Sequence, residues 1–119
     1  METGARTPEE LETLLEDAFV LRDQRALAQL FQPGAMLVAG GGLLQARGQQ
    51  QIARIAAELW DLDRSYLADL RRVLQARDTA LVVAGHAVNV ARRSNDGSWR
   101  YAISLLDPGE AGRAAPPAC

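Results

Sequence analysis

Apolar residues first recur at helical spacing. Leu11, Leu14, Leu15, Ala18 and Phe19 lie three and four positions apart behind Thr7-Pro8-Glu9-Glu10. That opening supplies an N-cap, a proline at the first helical position and a glutamate at the third, the pattern of a capping box. The spacing predicts an amphipathic helix that buries this stripe, with Glu9, Glu12, Glu16 and Asp17 on its outer face. Asp23 can cap a second, shorter helix with Leu27, Leu30 and Phe31 inward, stopped by Pro33-Gly34. Residues 8 to 32 therefore read as a bent pair of helices.

The period then changes. Ala35 to Ala39 is a short apolar run, Gly40-Gly41-Gly42 can turn tightly, and Leu43 to Ala46 can run back as the second arm of a hairpin. Gly48 precedes a third helix with Ile52, Ile55, Ala56, Leu59 and Trp60 on one side, ending near Asp61-Leu62-Asp63. The remainder reads as a meander. Tyr66 to Arg77 is followed by a turn at Asp78-Thr79, then Ala80 to Arg92 as one strand. The turn Ser94-Asn95-Asp96-Gly97 leads into Trp99 to Leu106, and Asp-Gly between two strand-like runs is a strong hairpin signal. Residues 8–108 form one domain in this reading, residues 1–7 a flexible N-terminus and residues 109–119 a disordered tail.

Leu81-Val82-Val83-Ala84 is apolar on both strand faces, so this strand is covered on both sides. Helices supply one cover, and a second subunit is the simplest other, which predicts a homodimer through the sheet. In a continuous strand His86 shares a face with Val82, Ala84, Val88 and Val90. Leu81, Val83, Gly85, Ala87 and Asn89 take the opposite one.

Composition narrows the function classes. The 119 residues are 48% hydrophobic and 24% charged, as in an ordinary globular domain, so disorder is not expected. A net charge of −2 argues against a general nucleic-acid binder. No apolar run is long enough for a membrane span, and Met1-Glu2-Thr3-Gly4 lacks the order of a signal peptide, so a cytoplasmic protein is expected. All 13 basic residues are arginine, which excludes lysine Schiff-base chemistry and a P-loop lysine. The one cysteine, Cys119, rules out a disulfide or a cysteine metal cluster within the chain. Asp61 and Asp63 lack the additional oxygen donors of a hard-cation loop, so no metal is expected. Gln45 stands where a dinucleotide fingerprint needs its third glycine, and no cofactor is expected.

The order of helix pair, short hairpin, glycine-led helix and long antiparallel strands resembles the nuclear transport factor 2-like superfamily, the SnoaL-like or ketosteroid isomerase-like group. The segments that carry the resemblance are Ala26-Leu27-Ala28-Gln29-Leu30-Phe31 and Ala46-Arg47-Gly48-Gln49-Gln50-Gln51-Ile52. To these are added Arg77-Asp78-Thr79-Ala80-Leu81-Val82 and Asp96-Gly97-Ser98-Trp99-Arg100-Tyr101. The resemblance implies an α+β fold, a curved antiparallel sheet wrapped around three N-terminal helices as a cone-shaped, cystatin-like α+β roll with a hydrophobic pocket. Its members include isomerases, polyketide cyclases, dehydratases and epoxide hydrolases beside non-enzymatic binding and assembly domains, so fold alone does not fix activity. The isomerases and cyclases place an acidic residue in or near the first hairpin, whereas Ala35 to Leu44 of this chain has no ionisable side chain.

Candidate chemistry falls elsewhere. His86, the sole histidine, can serve as acid or base near neutral pH, or stand as a strand histidine bonded to a neighbour or facing the dimer contact. Asp69 and Arg71, two apart in a strand, share a face; they can activate water in the manner the resemblance implies, or form a solvated ion pair. Trp60, Tyr66, Trp99 and Tyr101 can line a ligand cavity or fill the core. Asn89 and Ser104 are polar positions in apolar strands, able to meet a ligand or a buried backbone group. The leading expectation is a homodimeric domain binding a small hydrophobic ligand, with no nucleic acid or membrane partner. One alternative is an enzyme of the cyclase, isomerase or epoxide hydrolase type with His86 as acid or base, and another is a non-catalytic assembly module. Interior volume separates them: a cavity of roughly a few hundred Å³ favours a ligand, and a filled cone favours assembly.

Overall fold

A computed structural model of the chain describes residues 4–39, 42–62 and 69–106. The first helix, α1, spans Pro8–Leu21, and Thr7 caps it by accepting the Glu10 N–H at 3.0 Å. Glu10 in turn accepts the N–H of Arg6 at 2.7 Å, so the reciprocal bond of the capping box falls one residue before the cap. Arg22 ends the helix in the left-handed region (φ 51°). Asp23 then caps α2, Gln24–Gln29, by accepting the Ala26 N–H at 3.0 Å. Ahead of α1 the chain is packed: Ala5 is fully buried and bridges Trp99.

Strand β1 runs Phe31–Ala39, beginning four residues earlier than the apolar run suggests and taking in Pro33-Gly34. Proline lacks the ladder N–H, and it sits where the pairing of β1 with its neighbour shifts register between Phe31 and Met36. Strand β2, Leu44–Arg47, returns antiparallel. Helix α3, Gly48–Asp61, follows with Ile52, Ala56, Leu59 and Trp60 buried. Among the described residues no helix is long and apolar enough to cross a membrane. The turn at Gly40–Gly41, Asp63, Tyr66 and the tail from 109 lie outside the described residues.

The meander has four strands: β3 Leu70–Ala76, β4 Thr79–Ala84, β5 Ala87–Arg93 and β6 Trp99–Leu106. The expected single strand Ala80–Arg92 is a tight hairpin, with Gly85-His86 as its turn. The Gly85 N–H bonds the carbonyl of Asp69 at 2.8 Å, and a Cβ on Gly85 would overlap the Asp69 carboxylate, 3.1 Å from its Cγ. Only glycine admits that approach. The sheet order is β2-β1-β6-β5-β4-β3. It is mixed rather than antiparallel throughout, because β1 and β6 run parallel.

Register assigns the two faces. One inward row is Val73, Val82, Asn89, Ser104, Leu37 and Ala46, and the next contains Gln75, Ala80, Ala91, Tyr101 and Phe31. The turn at 85–86 resets the alternation. Ala87, Asn89 and Ala91 therefore join Val82 and Ala84 inside, while Val88 and Val90 join Leu81 and Val83 outside, which corrects the faces expected around His86. Helix α1 lies on the inner rows, and Leu11, Leu15, Phe19, Leu27, Phe31 and Ile52 form the core with the sheet's alanines.

Candidate functional site

Four polar side chains converge inside the sheet. Asn89 and Ser104 are directly opposed across β5 and β6, and the Ser104 hydroxyl donates to the Asn89 amide oxygen. The Asn89 amide nitrogen donates to Glu12 Oε2 at 3.0 Å, and the Tyr101 hydroxyl donates to the same oxygen. All four residues are at most 1% exposed. Three of them, Asn89, Tyr101 and Ser104, are candidates from the sequence. Glu12 is not: it was expected on the outer face of α1 and stands in the core instead. The signal was its place, one residue after Leu11 and three before Leu15, inside the apolar stripe. Burying a carboxylate is costly unless it is hydrogen-bonded, and here Tyr101 and Asn89 supply the bonds.

Trp60 and Trp99 fill the core. Trp60 packs edge-on against Phe19, with centroids 5.8 Å apart, and its buried Nε1 has no hydrogen-bond partner among the described residues. Trp99 is buried beneath the guanidinium of Arg93, 5.6 Å from the ring centre. Arg93 itself is held by Asp78, whose Oδ1 accepts from Nε at 2.8 Å.

His86, Asp69 and Arg71 come together at one end of the sheet, away from that quartet. Asp69 stands just before β3, and its Oδ2 accepts from Arg71 Nε at 3.1 Å and from a terminal guanidinium nitrogen at 2.7 Å. Both side chains are about half exposed or more, at 49% and 64%. The hydrogen bond from Arg71 holds the Asp69 carboxyl below its ordinary value of 3.8, with a smaller contribution from the charge of nearby His86. His86 is half-buried in the β4–β5 turn.

Among the described residues, the space beneath the helices is small. The space between α1, α3 and the sheet amounts to about 10 Å³, lined by Leu15, Phe19, Leu27, Phe31, Leu37, Ile55, Ala56, Leu59 and Leu106. That is room for one water at most. Its lining is apolar throughout, and none of His86, Asp69 and Arg71 reaches it. A larger groove of about 1230 Å³ lies on the outside, between the segment before α1, the two N-terminal helices and the β5–β6 turn. Among the described residues no cluster of histidine, cysteine and carboxylate side chains is arranged to hold a metal.

No family model and no curated protein matches the chain. Solved structures do. A ketosteroid isomerase-like protein from Erwinia carotovora atroseptica superposes with a TM-score of 0.71 at 18% identity, covering 84% of this chain and 92% of that one. A structure from Thiobacillus denitrificans, proposed to be a calcium/calmodulin-dependent protein kinase type II association domain, gives 0.73 at 16% identity, covering 92% and 100%. A proposed dehydratase of the NTF2-like family from Streptomyces avermitilis gives 0.62 at 21% identity, covering 86% and 93%. The chain thus has the nuclear transport factor 2-like, cystatin-like fold.

Proposed function

We propose that this chain is a homodimeric, non-catalytic module that uses its fold for assembly through the outer face of the sheet. The observation that carries the reading is a packed interior beside an apolar exterior. Among the described residues, the space between α1, α3 and the sheet leaves about 10 Å³, against the roughly 300 Å³ or more that a small-molecule pocket needs. Meanwhile Leu74, Leu81, Val88, Ile103 and Leu105 stand exposed on four adjacent strands. A contiguous apolar face of this kind marks an interaction surface in a soluble chain. The Thiobacillus denitrificans relative in fold, proposed as an association domain, supports the same reading. Sedimentation equilibrium at micromolar concentration is the test: twice the chain mass is expected, and a monomer rejects the proposal.

A second reading rests on Glu12, Tyr101, Asn89 and Ser104. Ionisable and polar groups buried together in this manner frequently mark binding or catalytic sites, and the isomerase-like and dehydratase relatives in fold agree with a ligand there. In that reading a small hydrophobic molecule enters the cone by displacing core side chains, and its polar end meets Glu12. Soaking the protein with hydrophobic ketones while recording backbone amide spectra separates the readings. Shifts confined to residues around Glu12 and Tyr101 favour a ligand; an unperturbed core favours assembly alone.

A further inference from the structure

The two edges of the sheet are finished differently. Strand β2 is four residues long and runs directly into α3, and the Arg47 N–H at its end is taken by the Gln51 side chain at 2.9 Å. Strand β3 has seven residues and neither proline nor glycine, and among the described residues it has a strand partner on one side only, β4. Every residue of β3 except the half-buried Val73 is exposed. An open row of backbone N–H and C=O groups on such a strand is a template for a further strand.

The geometry of β3 narrows what that strand can be. Its register against β4 is interrupted between Leu70 and Arg72 and unbroken from Arg72 to Ala76. If this stretch pairs antiparallel with itself, inner residues must stand opposite inner ones and outer opposite outer, because a slip of one residue exchanges the faces. The two-fold axis therefore passes through a residue. Only an axis at Leu74 pairs all five residues of the regular stretch: Leu74 meets its own counterpart, Val73 meets Gln75, and Arg72 meets Ala76. An axis at Arg72 sets two guanidinium groups against each other, which a sheet disfavours.

The outer face selects the same axis. Leu74, 49% exposed, ends the apolar row Leu74, Leu81, Val90, Ile103 and Met36. A two-fold axis perpendicular to the sheet keeps the outer faces of both copies on one side. With the axis at Leu74 this row continues unbroken into the second copy, whereas with the axis at Val73 it ends on Arg72. We infer that β3 is a second assembly interface, occupied by β3 of another copy in antiparallel register about Leu74. The inference rests on the assembly reading for the size of the particle, since a face-paired dimer presents two such edges and edge pairing links dimers into larger species. The contact itself needs one strand from each chain. So short an edge buries far less than the roughly 1,200 Å² of a stable complex, and it forms at on the order of hundreds of micromolar rather than at micromolar concentration.

Sedimentation velocity of the full chain from about 10 μM to about 1 mM covers that range, and the mass should rise beyond its micromolar value at the upper end. Ala76→Glu places a carboxylate opposite Arg72 at both ends of the contact and should strengthen it about fivefold, and Ala76→Arg should weaken it as much. General repulsion between chains of net charge −2 demands the reverse order. A cysteine trap reads the register. In a chain carrying Ile103→Asp, to remove face pairing, and Cys119→Ser, to remove the native thiol, Leu74→Cys should oxidise to a disulfide-linked dimer and Gln75→Cys should not. This arm is indifferent to whether the outer face holds a second copy, so the two readings fail separately. A mass that does not rise with concentration, Ala76 variants that follow net charge, or a trap no faster at Leu74 than at Gln75 overturns the edge interface.

Discussion

Glu12 shows how much one side chain can depend on its partners. Its carboxylate accepts from Asn89 and Tyr101 in a fully buried position. Glu12→Ala removes the acceptor of the Asn89 amide and opens a void, an expected loss of about 2–4 kcal/mol. Glu12→Gln keeps the shape and one acceptor oxygen, so it should cost clearly less; equal losses in urea denaturation would contradict the role given to the network. At the exposed end of the sheet, Asp69 gives a prediction in pH. Its folded carboxyl titrates below 3.8 because Arg71 donates to it. A depressed acid contributes stability above its unfolded value and loses that contribution as pH falls through the folded one. Arg71→Gln should return the Asp69 titration, read from its side-chain carbon resonance, to the ordinary range. Gly85→Ala should move it the same way, because the added Cβ occupies the space of the carboxylate that Arg71 holds.

Elements were legible where local chemistry acts alone. Thr7 and Asp23 cap the helices their positions announce, and the stripe from Ile52 to Trp60 yields the buried side of α3. Thr7→Ala should therefore lower stability by about 1 kcal/mol through the lost acceptor of the Glu10 N–H, measurable as a shift of the thermal midpoint. Elements were illegible where distant chain decides. Nothing within Ala80–Arg92 announces a turn except Gly85, whose need is set by Asp69, sixteen positions earlier. Pro33-Gly34 reads as a helix stop, yet both residues lie within β1 beside an irregular register that only the parallel neighbour β6 creates. Glu12 was misplaced for a related reason. Its position on the helix is inward, but its charge suggests water until Tyr101 and Asn89, more than seventy residues away, provide bonds. The candidates Asn89, Tyr101 and Ser104 could be picked out singly as polar or aromatic positions in strands. Their common centre could not, since it lies on a residue of another element.

At the scale of the whole molecule, the sheet has one satisfied face and one open face. The inner rows are covered by helices, and every large side chain there is packed. The outer rows match them in regularity: Leu74, Leu81, Val90, Ile103 and Met36 align across five strands, and Val83, Val88, Leu105 and Val38 align beside them. Ile103 and Leu105, the members of these rows on β6, are 47% and 50% exposed. A second copy laid face to face would cover these rows on both chains, and an isologous contact counts each residue twice. Burying one such side chain contributes about 1.5–3 kcal/mol, so Ile103→Asp should cost a dimer at least about 3 kcal/mol, more than a hundredfold in its association constant. The variant should sediment as a monomer and keep the helical and strand signals of the parent, because Ile103 contributes little to the inner core. Val20→Gln alters a residue still more exposed but on α1, away from the sheet, and should leave the dimer intact. Thermal stability provides the independent check. In a dimer the unfolding midpoint rises with protein concentration by mass action, and Ile103→Asp should abolish that dependence. A parent protein whose midpoint ignores concentration across the micromolar range would mean that the outer face does not hold a second copy.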